Sequence, residues 1–380
     1  MDIPAPTPLA SRPTVALGCL DGFFPSNLLR ATQQAGFTPV FLHRLATEVG
    51  GPGDGPREML AATMRSIEQT DPCSAWGAGC VVRMEEEAAL FATAGYTWFT
   101  FDLAGLIDDR AHSMSLDRLD AAIVALEDSG CYAPGWHGNY LDREWLTVSG
   151  RALRLEDEAI ARAAVKFGPA LAHADQLHQA IRTVWTGRGE PPDIELSLAA
   201  RRTPFSSEEF LFLALEAARR GLSPSAIAPP IGAGWQPGAE FAGDTAAAIG
   251  RLGEAATLSG SLKLGVHFAD GKPELLSTAR AIPGVRLHLN FEEATWLEHL
   301  GKMADSRPEE FREWLRVAQE VFPFAIGDTP LAISEEDTHA LPQVTDSALR
   351  ETFLGHVQGR QLLLVTFCAV RRHRAEQILK

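Results

Sequence analysis

The sequence predicts an α/β chain: a (β/α)8 TIM-type barrel, with an additional long helix after its fourth strand and a C-terminal helical extension. Three observations carry that expectation. Eight short β-prone runs alternate with helix-compatible runs over most of the 380 residues. No G-x-G-x-x-G follows the first strand, so the alternative, an open doubly wound sheet for a dinucleotide, has little behind it. The last two strands each carry a histidine near their ends, and neighbouring parallel strands bring such ends to one face.

The elements follow in order. Residues 14–20 are a first strand, and a helix from Pro25 to about Ala35 is closed by Gly36. Residues 39–43 are a second strand. The run 50–56 is too rich in glycine and proline for regular structure, and 57–69 is helical. Residues 74–82 make a glycine-rich third strand. The helix behind it, 85–94, opens on three glutamates, where the helix dipole favours acids, and Gly95 ends it. Residues 97–103 are a fourth strand, with a helix over 115–129. The stretch 132–151, with Trp136, His137, Tyr140 and Trp145, fits no regular element. Residues 155–185 read as one helix much longer than its neighbours. A fifth strand at 193–198 precedes a helix that Ser206-Ser207-Glu208-Glu209 opens and Gly221 ends. A weak sixth strand spans 225–230, its prolines tolerable only at the end, and 246–258 is helical. The seventh and eighth strands, 261–267 and 285–290, flank a short helix over 272–281 closed by Pro283 and Gly284. Helices over 292–303 and 308–321, a polar loop over 333–346 and a helical or mixed run to 380 complete the chain. The domain reading is a flexible leader at 1–12, the barrel over 13–330 and an extension packed on it over 331–380.

Composition bounds the function. A hydrophobic content of 46% supplies a large core, and a formal charge of −15 argues against a nucleic-acid partner, whose phosphates need a basic surface. No apolar run reaches the length of a membrane span, and the proline-rich leader lacks the apolar centre of a signal peptide. Five cysteines without a C-x-x-C pair fit reduced thiols in the cytoplasm.

The candidate chemistry centres on His267 and His288. Two imidazoles on consecutive parallel strands are candidate ligands for one divalent ion, which needs about three protein donors in a catalytic site. Asp102, Glu195 and Asp270, on or after strands four, five and seven, are the acids that would complete such a set or move protons; each alone also reads as a cap or a solvated acid. Lys272, in the loop after His267, is a candidate to neutralise a substrate carboxylate, or else a surface lysine. Trp76 and Trp235 suit a sugar face or simple space filling. His173 and His178 are five apart, so they form no helical metal pair. There is no P-loop, no H-E-x-x-H, no nucleophile elbow and no basic-aromatic patch.

Several of these segments resemble the tagaturonate epimerase family, sugar-acid epimerases that use a divalent metal. Residues 94–111, AGYTWFTFDLAGLIDDRA, are similar to a family segment reading AGFTFFTIDPSDHVDDRA. The run from Glu195 through Thr203 and Pro204 to Glu216 resembles EVSVDETDTPTSPEEHLFIALE, and residues 163–173 resemble the family's long helix. KLGVH at 263–267 and RLHL at 286–289 resemble KLSVHSGSDKF and RFHLKTAG, and LLLVTF at 362–367 resembles VLHVTFGS. The resemblance implies a (β/α)8 barrel, a small-molecule sugar-acid substrate, no nucleic acid or membrane partner, and a manganese, cobalt, nickel or zinc ion on His267 and His288. The departures fall on the chemistry. Where the family reads GADADHLK, this chain has Gly77-Ala-Gly-Cys-Val-Val82-Arg-Met, and a valine neither binds a metal nor moves a proton. Where it reads SVDET, this chain has Ser197-Leu-Ala-Ala-Arg201; after His267 the lysine survives as Lys272 and the aspartate has shifted. Two expectations follow. Either the chain is a ketohexuronate epimerase or isomerase in which Asp102, Glu195 or Asp270 replaces the missing acid/base groups and Lys272 holds the carboxylate, or it is a silent relative, its metal lost, that binds a sugar acid or a partner without turnover.

Overall fold

The structure, a computed structural model, describes residues 4–10, 12–45, 55–70, 73–199, 205–232, 234–270, 272, 275–276, 284–327, 329, 331–339 and 344–378. Its centre is a closed barrel of eight parallel strands. These are β1 (Thr14–Gly18), β2 (Thr38–His43), β3 (Gly77–Val82), β4 (Trp98–Asp102), β7 (Asp193–Ser197), β8 (Ala226–Ala228), β9 (Lys263–Val266) and β10 (Leu287–Phe291). They close in the order β1-β10-β9-β8-β7-β4-β3-β2. The expected run 132–151 holds a 3-10 turn at Trp136–Asn139 and the start of a two-stranded hairpin, β5 (Glu144–Leu146) and β6 (Ala152–Arg154). The long helix is present as Asp157–Trp185, 29 residues. The expected loop at 50–56 and helix at 272–281 lie largely outside the described residues.

Alternation along each strand separates two cores. Val15, Leu17, Phe41, Cys80, Val82, Phe99, Phe101, Leu196, Ile227 and Leu289 point outward into the main apolar cluster beneath the helices. Each such side chain contributes about 1.5–3 kcal/mol on burial. The inward set is smaller and partly polar. Ala16, Leu42 and Val81 form one apolar group inside the barrel, and Leu9, Val40, Trp98 and Ala226 another. The glycines of β3 make room for this filling: a Cβ on Gly79 would sit 2.6 Å from Val40 Cγ1.

Leu9 belongs to the segment expected to be a flexible leader, and residues 4–10 instead run under the barrel. Leu9 N–H donates to Asp193, Thr7 N–H to the Trp76 carbonyl, and Trp76 Nε1 to the Pro4 carbonyl at 2.8 Å. Lys263 Nζ donates to the carbonyls of Ala10 (2.6 Å) and Arg12 (3.3 Å). The leader reads as polar and proline-rich, but one leucine and its backbone N–H groups suffice to seal the amino-terminal end.

The change of packing does not fall at residue 330 either. The helices Glu292–Ser306 and Pro308–Ala325 share a second apolar cluster with the helices Leu349–Leu354 and Val357–Ile378, built on Trp296, Phe311, Trp314, Phe322, Phe353 and Phe367. Among the described residues, no helix is long and apolar enough to cross a membrane.

Candidate active site at the carboxyl-terminal mouth

β9 ends one residue before His267, and β10 carries His288 in its interior. Both imidazoles turn inward to one carboxylate, Glu195 on β7. His267 Nε2 lies 3.1 Å from Glu195 Oε1, and His288 Nε2 lies 3.8 Å from Glu195 Oε2. Thr100 Oγ1 donates to Glu195 Oε2 at 2.7 Å, and Trp98 Nε1 donates to Thr100 Oγ1 at 3.3 Å. His288 Nδ1 meets Thr14 Oγ1 at 2.8 Å, and its ring stacks on Trp98 with centroids 4.3 Å apart. Gly265 leaves the space for this carboxylate, since a Cβ there would stand 2.6 Å from Glu195 Oε1.

The electrostatics follow from burial. Burial pushes the Glu195 carboxyl up, but the two imidazoles and the hydrogen bonds from His267 and Thr100 outweigh it and hold the group at about 2. Burial pushes the His288 imidazole down to about 3 against the pull of Glu195, so that ring is neutral. With Glu195 ionised, His267 Nε2 is the donor in their contact. Burial also lowers the Lys263 amine, at the sealed end, to about 8, against the attraction of Asp193 and Glu195.

Above this group lies a cleft of about 380 Å³ between the strand ends and the C-terminal helices. His267, Ser197, Asn290, Asp102 and Glu293 line it, as do the cations Arg44, Arg83 and Arg372. Arg44 meets Glu292 through two bonds of 2.6 and 2.7 Å, and Arg83 meets Asp102 through two of 2.8 and 2.6 Å. Burial raises the Asp102 carboxyl, but the charges of Arg83 and Arg44 prevail and hold it below the ordinary carboxylate value. Behind His267 the chain turns sharply. Phe268 has φ of 54°, a left-handed conformation that costs a phenylalanine energy, and such strain collects at functional sites. Trp235 Nε1 donates to the His267 carbonyl at 2.8 Å and fixes the turn.

The expected site residues therefore separate. His267 and Asp102 reach the cleft. Glu195 is wholly buried and acts through His267, as a positioning residue. His288 lies deeper. Lys272, expected to hold a substrate carboxylate, is buried, and its ammonium donates to the carbonyls of Gln236 (3.0 Å), Ala239 (2.8 Å) and Phe268 (2.8 Å). It ties loops together, because an ammonium without water must find acceptors. Asp270 is buried beside Glu293. Trp76 and Trp235 are buried and pack rather than face open space.

At the end of β3, Val81 faces the barrel interior and lines the cleft, whereas Val82 packs outward. The residues present do not build a three-donor metal site: among the described residues no group of three or more His, Cys, Asp or Glu is arranged to hold an ion. The carboxylate of Glu195 instead stands between the two imidazoles. Arg44, Arg83, Glu292 and Glu293 were not singled out in the sequence. Arg44 and Arg83 fall just past strand ends, on the inward side of the two-residue period, which is the one signal that marks them.

The comparisons agree with this architecture. A curated tagaturonate/fructuronate epimerase of Thermotoga maritima is 24% identical over 352 residues, 90% of this chain and 70% of that protein. Two glycerol-complexed crystal structures of the fructuronate-tagaturonate epimerase of Cohnella laeviribosi superpose with TM-scores of 0.77 and 0.78 at 18% and 19% identity, each covering 99% of this chain and 79% and 78% of that one. The sequence model of one family, described as tagaturonate epimerase, matches residues 2–379, and the chain belongs to that family.

Proposed function

We propose that this chain is an epimerase or isomerase of a sugar acid, a ketohexuronate of the kind its relatives are named for, bound in the cleft at the barrel mouth. The observation that carries this reading is the His267–Glu195 contact of 3.1 Å: an imidazole on the cleft wall is oriented by a buried, ionised carboxylate. Such a pair fixes the tautomer and leaves the imidazole to take or return a proton at the ligand. The guanidinium groups of Arg44, Arg83 and Arg372 supply the positive charge that a sugar carboxylate requires. Asp102, parked on Arg83, is the second acid within reach.

A second reading, binding without turnover, is favoured by one observation. Asp102 and Glu292 are each answered by an arginine, and Val81 adds an apolar side chain to the same wall. The two readings part in one experiment. Tagaturonate and fructuronate are incubated with concentrated protein, with and without manganese, cobalt, nickel or zinc. The first reading expects interconversion that His267→Ala lowers by about 100-fold or more. Saturable binding of the sugar acids with no conversion over the blank under any condition would establish the second.

A further inference from the structure

Next to Glu292, which Arg44 answers, Glu293 also lines the cleft, and its neighbour is a second carboxyl. Asp270 and Glu293 are 4% and 8% exposed and hydrogen-bond to each other side chain to side chain. Two carboxylates have no hydrogen to share, so this contact requires a proton. Among the described residues, Asp270 Oδ2 and Glu293 Oε2 find no other donor, as expected where the hydrogen is the one between them.

The surroundings say which residue holds it. The Asp270 carboxyl accepts its own N–H and that of Ala294, in the first turn of the helix Glu292–Ser306, where the helix dipole favours an anion. Lys272 lies close and favours the anion too, although its ammonium is bonded to carbonyls. Glu293 meets burial first, then the charges of Asp270 and Glu292, with only Lys272 opposing, and is pushed well above the ordinary carboxyl value. Glu293 is the acid of the pair and Asp270 its anion.

We propose that Asp270 and Glu293 form a one-proton carboxyl pair that takes a proton from a hydroxyl of the ligand in the cleft, with Glu293 a further catalytic residue and Asp270 the acceptor behind it. The proposal rests on the sugar-acid reading of that cleft. In the step, the ligand O–H bond breaks and its proton bonds to the second oxygen of Glu293. The shared proton passes to Asp270, and the electron pair stays on the ligand oxygen as an alkoxide. Both carboxyls are then neutral, and the reverse movement restores the starting state. Burial raises the Asp270 carboxyl above its ordinary value, so the pair takes a second proton more readily than a free carboxylate would. The divided roles explain why two acids share so dry a place: one faces the ligand, and the other makes it basic.

The test combines infrared spectroscopy with kinetics on the whole protein and on Asp270→Asn and Glu293→Gln, with thermal melts to confirm folding. The wild type should show a protonated-carboxyl band at neutral pH that Glu293→Gln loses and that Asp270→Asn shifts in frequency, since burial still holds the proton on Glu293 but its partner has changed. Asparagine in place of Asp270 cannot accept the shared proton, and glutamine cannot relay one. Each variant should lower kcat by about 100-fold with KM near that of the wild type. Absence of the band, or its survival in Glu293→Gln, overturns the pair. Loss of the band with unchanged kcat overturns the catalytic role while the sugar-acid reading stands. A wild type without turnover sinks that reading and the catalytic role together, and the band then reports a structural pair alone.

Discussion

The inside of the barrel and the C-terminal helical unit are both water-poor, yet they are filled in opposite ways. The barrel encloses Thr14, Thr100, Glu195, Lys263 and His288, all buried and all bonded through neighbouring strands or the segment beneath them. The helical unit encloses aromatic mass, with Trp296 stacked on Phe367 at 4.8 Å and Trp314 at 5.2 Å from the same ring. The difference teaches where a buried charge can be kept. A parallel barrel fixes every inward position by its register, so a carboxylate can be matched to donors from neighbouring strands. Helix packing supplies contact area without such fixed partners, and it serves as the far wall of the cleft.

The sharpest way to probe the contrast is to remove an aromatic from the helical side. Phe367→Ala should cost about 3–5 kcal/mol in chemical denaturation, since a fully buried ring leaves a cavity. A smaller loss than that of any barrel variant would reverse the comparison. Arg44→Ala comes next, at about 3 kcal/mol, because it strands Glu292, whose side chain is 5% exposed, without a counter-charge. Gly265→Ala should cost about 1–3 kcal/mol by crowding Glu195 and Ala228, read from the urea midpoint.

The barrel side should also show a pH signature that the apolar side lacks. Glu195 sits at about 2 when folded against an ordinary 4.5, so the unfolded chain binds the proton more tightly. Its contribution to stability is full above about 4.5 and disappears as pH falls toward 2. Melts of Glu195→Gln should lose part of that slope, and an unchanged slope would place the acid sensitivity elsewhere. Arg83→Ala is the smallest effect, about 0–1 kcal/mol in the same denaturation assay, because Arg83 is 71% exposed where it meets Asp102.

Much of the fold was legible because strand and helix periods are local properties. The eight strands, the Ser206–Glu209 capping box and the long helix at Asp157–Trp185 all lie near their expected places. The hairpin of β5 and β6 was not legible, because each strand is three residues long and only Leu153 among them is fully buried. The site was half legible. His267, His288 and Glu195 converge because they share the inward parity of adjacent parts of the sheet, which the sequence reveals once the strands are placed. The surroundings of Lys272 and Asp270 were not legible, for one reason. A loop residue has no parity, and whether its charge meets solvent, carbonyls or another acid depends on how the loop folds back. Glu292 and Glu293 sit in the first turn of their helix, and their partners Arg44 and Asp270 come from distant sequence, which no local pattern marks.

Leu9 and the backbone around it stopper the amino-terminal end of the cylinder, which makes the molecule a cup rather than a pipe. Among the described residues that end is closed, so a ligand of the cleft leaves by the rim it entered. A departing molecule and its successor therefore queue at one doorway, and each should hinder the other as a competitor for the same space.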